Sequence, residues 1–217
     1  MRQYRTLGEL RNEMRAMLGA ASSGSAAGPN ATIIDTHLRN AQSVLYRVHD
    51  WAHLRRYEDE TVGVNQYLVD YPATADPDRI KAISVYRGSV WSPPIPRGIT
   101  PQMYTTQDMT SWPQAWEPYE QIELFPKADQ IYPLRIFFIK AIERFTQDAD
   151  RATVDDTAIS TVATGTLKAH YRQPDAAVFQ KMSDTLLLAL KAKSWGQSTF
   201  RHDDWANEEP LVRPQVV

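Results

Sequence analysis

Two histidines in His49-Asp50-Trp51-Ala52-His53 form the pairing in this chain best suited to chemistry. On a helix, His-x-x-x-His places both imidazoles on one face, the arrangement that holds zinc in metal-dependent hydrolases. There the residue after the first histidine is Glu, acting as general base. Asp50 is one methylene shorter and would sit differently against a metal-bound water. Catalytic zinc also needs a third protein ligand while one position stays open. His170 and His202 lie far away in sequence, and neither belongs to a ligand pattern. The competing reading is a polar last helical turn, where imidazoles complement the helix dipole. That structural reading outweighs a zinc-dependent hydrolase using His49 and His53.

Other chemistries leave weaker traces. The chain has no cysteine, which removes disulfides, thiolate zinc sites and cysteine nucleophiles together. Its nine glycines form neither Gly-x-Gly-x-x-Gly nor a phosphate loop ending in Gly-Lys-Ser/Thr. Ser23-Gly24-Ser25 falls in a low-complexity stretch, where a strained nucleophile elbow is not expected. The carboxylate pairs Asp155-Asp156 and Glu208-Glu209 read as a helix start and a solvated segment, and Asp148 and Asp150 flank a turn. No catalytic residue, cofactor or metal is expected.

Nucleic acid requires a separate weighing. Arg55-Arg56 lies between Trp51 and Tyr57, and Lys191, Lys193 and Trp195 interleave basic and aromatic groups again. Yet the chain carries 24 basic and 26 acidic side chains, a formal charge of −2, without the basic excess of a phosphate-gripping protein. A DNA-packaging accessory or DNA-binding protein is therefore the alternative reading, not the leading one. The longest apolar stretch, around Ile136-Phe137-Phe138-Ile139, is far shorter than the roughly 20 residues that span a bilayer. The opening Met1-Arg2-Gln3-Tyr4-Arg5 leads into an amphipathic segment and not a secretory signal. Synthesis in the cytoplasm, without a membrane partner, is expected.

The elements that position these residues follow from periodicity. Thr6 and Glu9 form a capping box, Leu7, Leu10, Met14 and Met17 share one helical face, and Gly19 ends the helix. Ala20 to Asn30 bends and packs nothing, so residues 1–31 read as a helical arm with a flexible linker. A long helix over 32–52 follows, capped by Thr32 with Asp35, with Ile34, Leu38, Ala41, Leu45, Val48 and Ala52 as its stripe and Arg39, Gln42 and Arg47 flanking it. Residues 54–140 turn to β periodicity around 67–71, 80–86, 122–124 and 134–139. Within them, Arg87 to Pro118 carries six prolines around Trp91, Trp112 and Trp116, which predicts a long loop or edge excursion with a short helix near 101–108. Thr153 with Asp155 and Asp156 starts a helix over 154–172, whose inner face is Ile159, Val162, Ala163, Thr166, Leu167 and His170. Pro174 opens another over 174–194, with Phe179, Met182, Leu186 and Ala189 repeating along it. Residues 196–217 have no period and read as an extended tail. The fold class is α+β: a helical bundle, made of the long N-terminal helix and a C-terminal hairpin, packed with a small, mostly antiparallel sheet. A core of 32–195 carries an arm at each end.

The order of segments resembles the head-to-tail adaptor proteins of tailed bacteriophages. These head completion or connector proteins include the tail tubular protein of short-tailed phages. The resemblance rests on Ile33-Ile34-Asp35-Thr36-His37-Leu38-Arg39-Asn40-Ala41-Gln42-Ser43-Val44-Leu45-Tyr46 running into His49-Asp50-Trp51-Ala52-His53-Leu54-Arg55-Arg56. Tyr67-Leu68-Val69-Asp70-Tyr71-Pro72, Arg79 to Val85 and Ile122-Glu123-Leu124-Phe125-Pro126 continue it, and it covers roughly residues 30 to 195. It implies a non-enzymatic virion protein at the head–tail junction, a dodecameric ring seated under the portal. The other end would receive the tail nozzle or the next tail ring, and tail fibres. Genomic DNA would pass through the lumen unread. A near-neutral chain suits that passage, because each phosphate contact adds salt-dependent grip. On this resemblance Phe200, Trp205, Leu211 and Arg213 are expected at the portal. The first helix (Leu10, Met14) and the Pro/Trp loop (Trp91, Trp112, Trp116) are expected at the ring or tail interface. A stopper or terminator ring of the same tail is the neighbouring alternative.

Overall fold

The computed structural model describes residues 4–19, 31–105 and 109–195. The expected linker and the extended C-terminal tail, with Phe200, Trp205, Leu211 and Arg213, lie outside them. The fold is α+β, and the chain forms two compact units. A helical unit takes residues up to His53 and resumes at Ile142; a β unit takes Leu54–Ala141. Among the described residues no helix is long and apolar enough to cross a membrane.

In the helical unit, α1 (Leu7–Met17) starts from the expected capping box. Thr6 Oγ1 accepts from the Glu9 amide at 3.3 Å, and Glu9 Oε2 accepts from the Thr6 amide at 2.7 Å. Gly19 follows its end at φ +73°, a conformation that favours glycine. This helix is docked. It packs on α2 (Ala31–Val48) and α4 (Asp156–His170), with Leu10 and Met14 fully buried. Its first free amides are satisfied by a distant loop: Leu7 N donates to Asp150 O at 2.9 Å, and Gly8 N to Asp148 O at 3.1 Å. Arg11 then bridges Asp35 (2.7 and 2.9 Å) and Asp148 (2.9 Å).

Helix α2 stops at Val48, four residues short of the expected end. The indole of Trp51, buried, donates to the Leu45 carbonyl at 2.9 Å and so caps the last turn from outside. A short 3₁₀ turn over Ala52–Leu54 follows. At the other end Asp35 is drawn to Arg11 rather than to the helix amides. Gln42, expected on a flank, is buried: its amide donates to Glu143 O at 2.8 Å and accepts from Thr153 N at 3.1 Å. Helix α4 starts at Asp156, with Asp155 accepting from the Ala158 amide. Helix α5 (Ala176–Trp195) packs on α4, where Gly165 lets Phe179 approach; an added Cβ there would meet Phe179 Cβ at 3.4 Å.

The β unit holds two antiparallel sheets. The first has the order β1 (Arg55–Val62), β7 (Tyr132–Lys140), β3 (Ala75–Arg87), β4 (Val90–Trp91). The second has the order β2 (Leu68–Val69), β6 (Ile122–Phe125), β5 (Ala115–Pro118). Their core joins Val62, Ile83, Val85, Trp116, Ile122, Leu124, Leu134, Ile136 and Phe138. The proline-rich excursion contains β4, the short helix α3 (Pro101–Tyr104) and β5, pinned by bridges from Ile95 to Ile83 and from Arg97 to Trp116.

The docking of α1 is open to two checks. Leu10→Ala removes a fully buried side chain and should cost about 2–5 kcal/mol in urea denaturation. Three carboxylates around α1 lie below their ordinary range. The Arg11 hydrogen bond holds Asp148 down, and the amides of Gln147 and Thr146 hold Asp150 down. At Asp156 burial pushes upward, but the Arg5 amide and guanidinium outweigh it. Depressed folded values mean a contribution complete above the unfolded value of about 3.9 and lost as pH falls through the folded ones. Below about pH 4, amide exchange at Leu7 and Gly8, corrected for intrinsic rates, should therefore accelerate.

Candidate interaction surface

Strand alternation sorts the first sheet into two faces. Leu134, Ile136 and Phe138 of β7 point into the core. Arg135 and Phe137 point the other way, and register brings their neighbours alongside. Tyr57 stands opposite Phe137, Asp59 and Ser84 flank Arg135, and Tyr86 stands opposite Trp91. Four strands thus deliver four aromatic rings, one guanidinium and one carboxylate to one face.

The guanidinium organises them. Arg135 Nε and Nη2 donate to the two Asp59 oxygens, each at 2.7 Å, in a bidentate fork. Its Cζ also lies over two rings, 4.6 Å from the Tyr57 centroid and 4.2 Å from that of Trp91. A guanidinium can do both because its edge carries the N–H donors while its face meets the negative face of a ring. Ser84, small and buried on the intervening strand, leaves room for Trp91 to reach Arg135. Tyr57 contacts Phe137 at 5.9 Å between centroids, and Tyr86 contacts Trp91 at 5.2 Å. The Arg135 hydrogen bond holds the Asp59 carboxyl below the usual range, and the same bond raises the guanidinium. Tyr57 is 57% exposed and Tyr86 37%. The face is ordered and open to solvent.

The expected site residues fall differently. Trp91 belongs to this face. Trp112 is half-buried, with Arg87 4.2 Å above its ring, and packs against the β core. Trp116 is a correction: it is 1% exposed, and its Nε1 donates to Ile95 O at 3.2 Å, so it is spent inside the β unit. Leu10 and Met14 are corrections of the same kind, because burying α1's apolar face within its own unit leaves them nothing to offer a neighbour. His49 and His53 do not share a helix face, since α2 ends before either. His53 Nε2 donates to Thr153 O at 3.0 Å, and Trp51 lies edge-on to His49 at 5.2 Å. Among the described residues no three His, Cys, Asp or Glu side chains converge as a metal site requires.

Sequence reading missed Tyr57, Asp59, Tyr86, Arg135 and Phe137. The signal was present in Leu134-Arg135-Ile136, an arginine at an outward position of an apolar strand. Its partners were invisible without the register.

The surface holds Tyr, Trp and Arg, the residues that concentrate binding energy at interfaces, already in place. No protein-family model matches the chain, and no curated protein matches it.

Because the Asp59–Arg135 pair is partly exposed, Asp59→Ala should move the urea midpoint little. It should instead release the guanidinium. Nitrogen-resolved NMR would show the Arg135 Nε–H passing from slow to rapid solvent exchange, while an unchanged Nε–H would mean that the two rings alone hold it.

Proposed function

We propose that this chain is a structural, non-enzymatic head-to-tail adaptor of a tailed phage. In this reading copies assemble into a ring, dodecameric as in the family it resembles, between portal and tail, and the genome passes through unread. The observation that carries the reading is the ordered aromatic–guanidinium face of the first sheet, a surface suited to contact. The segments carrying the family resemblance support it: they fall on α2, β1, β2, β3 and β6. A formal charge of −2 suits a lumen that must not grip DNA.

Cyclic symmetry makes neighbour contacts heterologous, one patch against a different one. The sheet face with Tyr57, Tyr86, Trp91 and Arg135 serves as one patch. The outer edge of α2, where Val44 is 55% and Val48 40% exposed, serves as the other. The C-terminal segment with Phe200, Trp205, Leu211 and Arg213 is assigned to the portal.

Solution mass tests this, measured on the purified chain alone and after mixing with the portal ring of its phage. A species near 24.7 kDa that joins the portal as a defined multiple is expected. Trp91→Ala with Arg135→Ala should weaken joining or ring closure roughly tenfold or more while the chain stays folded. A chain that ignores the portal overturns the adaptor reading.

A further inference from the structure

Helix α5 is apolar on two sides and covered on one. None of its side chains from Ala176 to Lys193 is fully buried. Phe179, Ser183, Leu186 and Leu190, spaced four, three and four apart, form the half-buried side. A second stripe, Val178, Met182, Thr185, Ala189 and Ala192, repeats at four, three, four and three, and every member is exposed. Val178 is 65% exposed, Met182 55%, and Leu188 beside them 68%. An apolar stripe of this length left open to water calls for a cover.

We propose that residues 200–212 of the same chain fold back along this stripe. Three observations select that occupant. Charge is the first: α5 carries Lys181, Lys191 and Lys193 against Asp184, whereas residues 196–217 carry Asp203, Asp204, Glu208 and Glu209 against Arg201 and Arg213. Reach is the second. Gly196, a residue type suited to leaving a helix, begins a four-residue connection from Trp195 to Phe200, enough to reverse direction. From Ala192 back to Met182 the helix rises about 15 Å. From Phe200 to Trp205 an extended chain spans about 17 Å. Phe200 then meets the Leu188–Ala192 end and Trp205 meets Met182. Leu211-Val212 reaches the α4–α5 turn, where Tyr171 is 43% exposed. Concentration is the third: so short a tether gives an effective concentration on the order of millimolar, which favours a cis occupant over a second copy in dilute solution.

The absence of cysteine makes this directly testable, because an introduced pair has no competitor. Ala189→Cys on the stripe and His202→Cys, which the same alignment brings opposite it, remove no anchor. Under mild oxidation of micromolar full-length protein, A189C/H202C should form an intrachain disulfide at a rate independent of protein concentration. A control pair, V64C/H202C, uses an exposed valine of the β unit and should be at least about tenfold slower. K181E/K193E or high salt should slow the first pair several-fold by removing or screening the attraction. Disulfide-linked dimers in place of intrachain bridges would give the stripe to a second copy and overturn the proposal. Equal rates for the two pairs would overturn it too, by showing a segment with no docking place. The covering concerns the isolated chain, so its failure leaves the adaptor reading standing.

Discussion

Helix α4 is enclosed on most of its circumference, and the helical unit is built around that constraint. Nine of its residues are buried, among them Ser160, Thr161, Thr164 and Lys168. Three helices pack on it, so its side chains must be small: Ala158, Ala163 and Gly165 leave the backbone approachable. Buried hydroxyls would be costly unless satisfied. Ser160 and Thr161 solve this locally, both donating to the Thr157 carbonyl, and Thr164 turns to the sulfur of Met17 on α1. Lys168 pairs with Asp175 and lies over the Phe179 ring. A helix of this composition has little propensity to spare. Its neighbours hold it.

That dependence explains why α1 is locked in place although the sequence after it reads as a flexible linker. Without α1, one side of α4 would lose its cover, Thr164 included. The locking uses polar groups at the rim and apolar ones in the middle. Arg5 reaches Asp156 and Glu13, Arg11 reaches Asp35 and Asp148, and the 148–152 loop supplies carbonyls to the α1 amides. Apart from Glu13, the nearest of these partners, Asp35, is 18 residues beyond the end of α1, and the others lie more than 130 residues away. Sequence separation hid the dock.

Legibility followed the range of the interaction. Local signals were readable: the Thr6–Glu9 box, the α2 stripe from Ile34 to Leu45, the Asp155 cap and the apolar alternation of β7. Long-range ones were not. The end of α2 depends on an indole folding back onto Leu45, so a period extending to Ala52 misled. Helix α5 misled differently. It carries two interleaved heptad-like stripes, and Phe179-Met182-Leu186-Ala189 reads across both of them, mixing half-buried with exposed positions. Trp116 looked like an interface anchor because it stood among prolines, yet proline-rich chain can be pinned against a sheet and bury its aromatics. The sheet face was the least legible feature, since its six participants come from four strands whose order only the register reveals.

The two exposed surfaces differ in kind, and the difference bears on how each is used. On the sheet, Arg135 is committed to Asp59 and to two rings, so the face has one arrangement, which in the adaptor reading a neighbouring copy would have to match. Selectivity would arise there because a mismatched partner would leave desolvated polar groups unpaired. The α5 stripe has valine, methionine, leucine and alanine, which accept any apolar surface and discriminate weakly. An adaptable stripe left open invites association with itself, whereas an ordered aromatic–polar face does not. A chain carrying both therefore gains from a tethered cover on the stripe and needs none on the sheet. Weak discrimination also suits a cover that must later come away, because no single contact has to be broken at high cost. The acidic residues between the anchors add an attraction that salt and competing surfaces can screen. Under the two proposals, shape and fixed hydrogen bonds would belong to a lasting contact, and sliding apolar surface with screened charge to a temporary one.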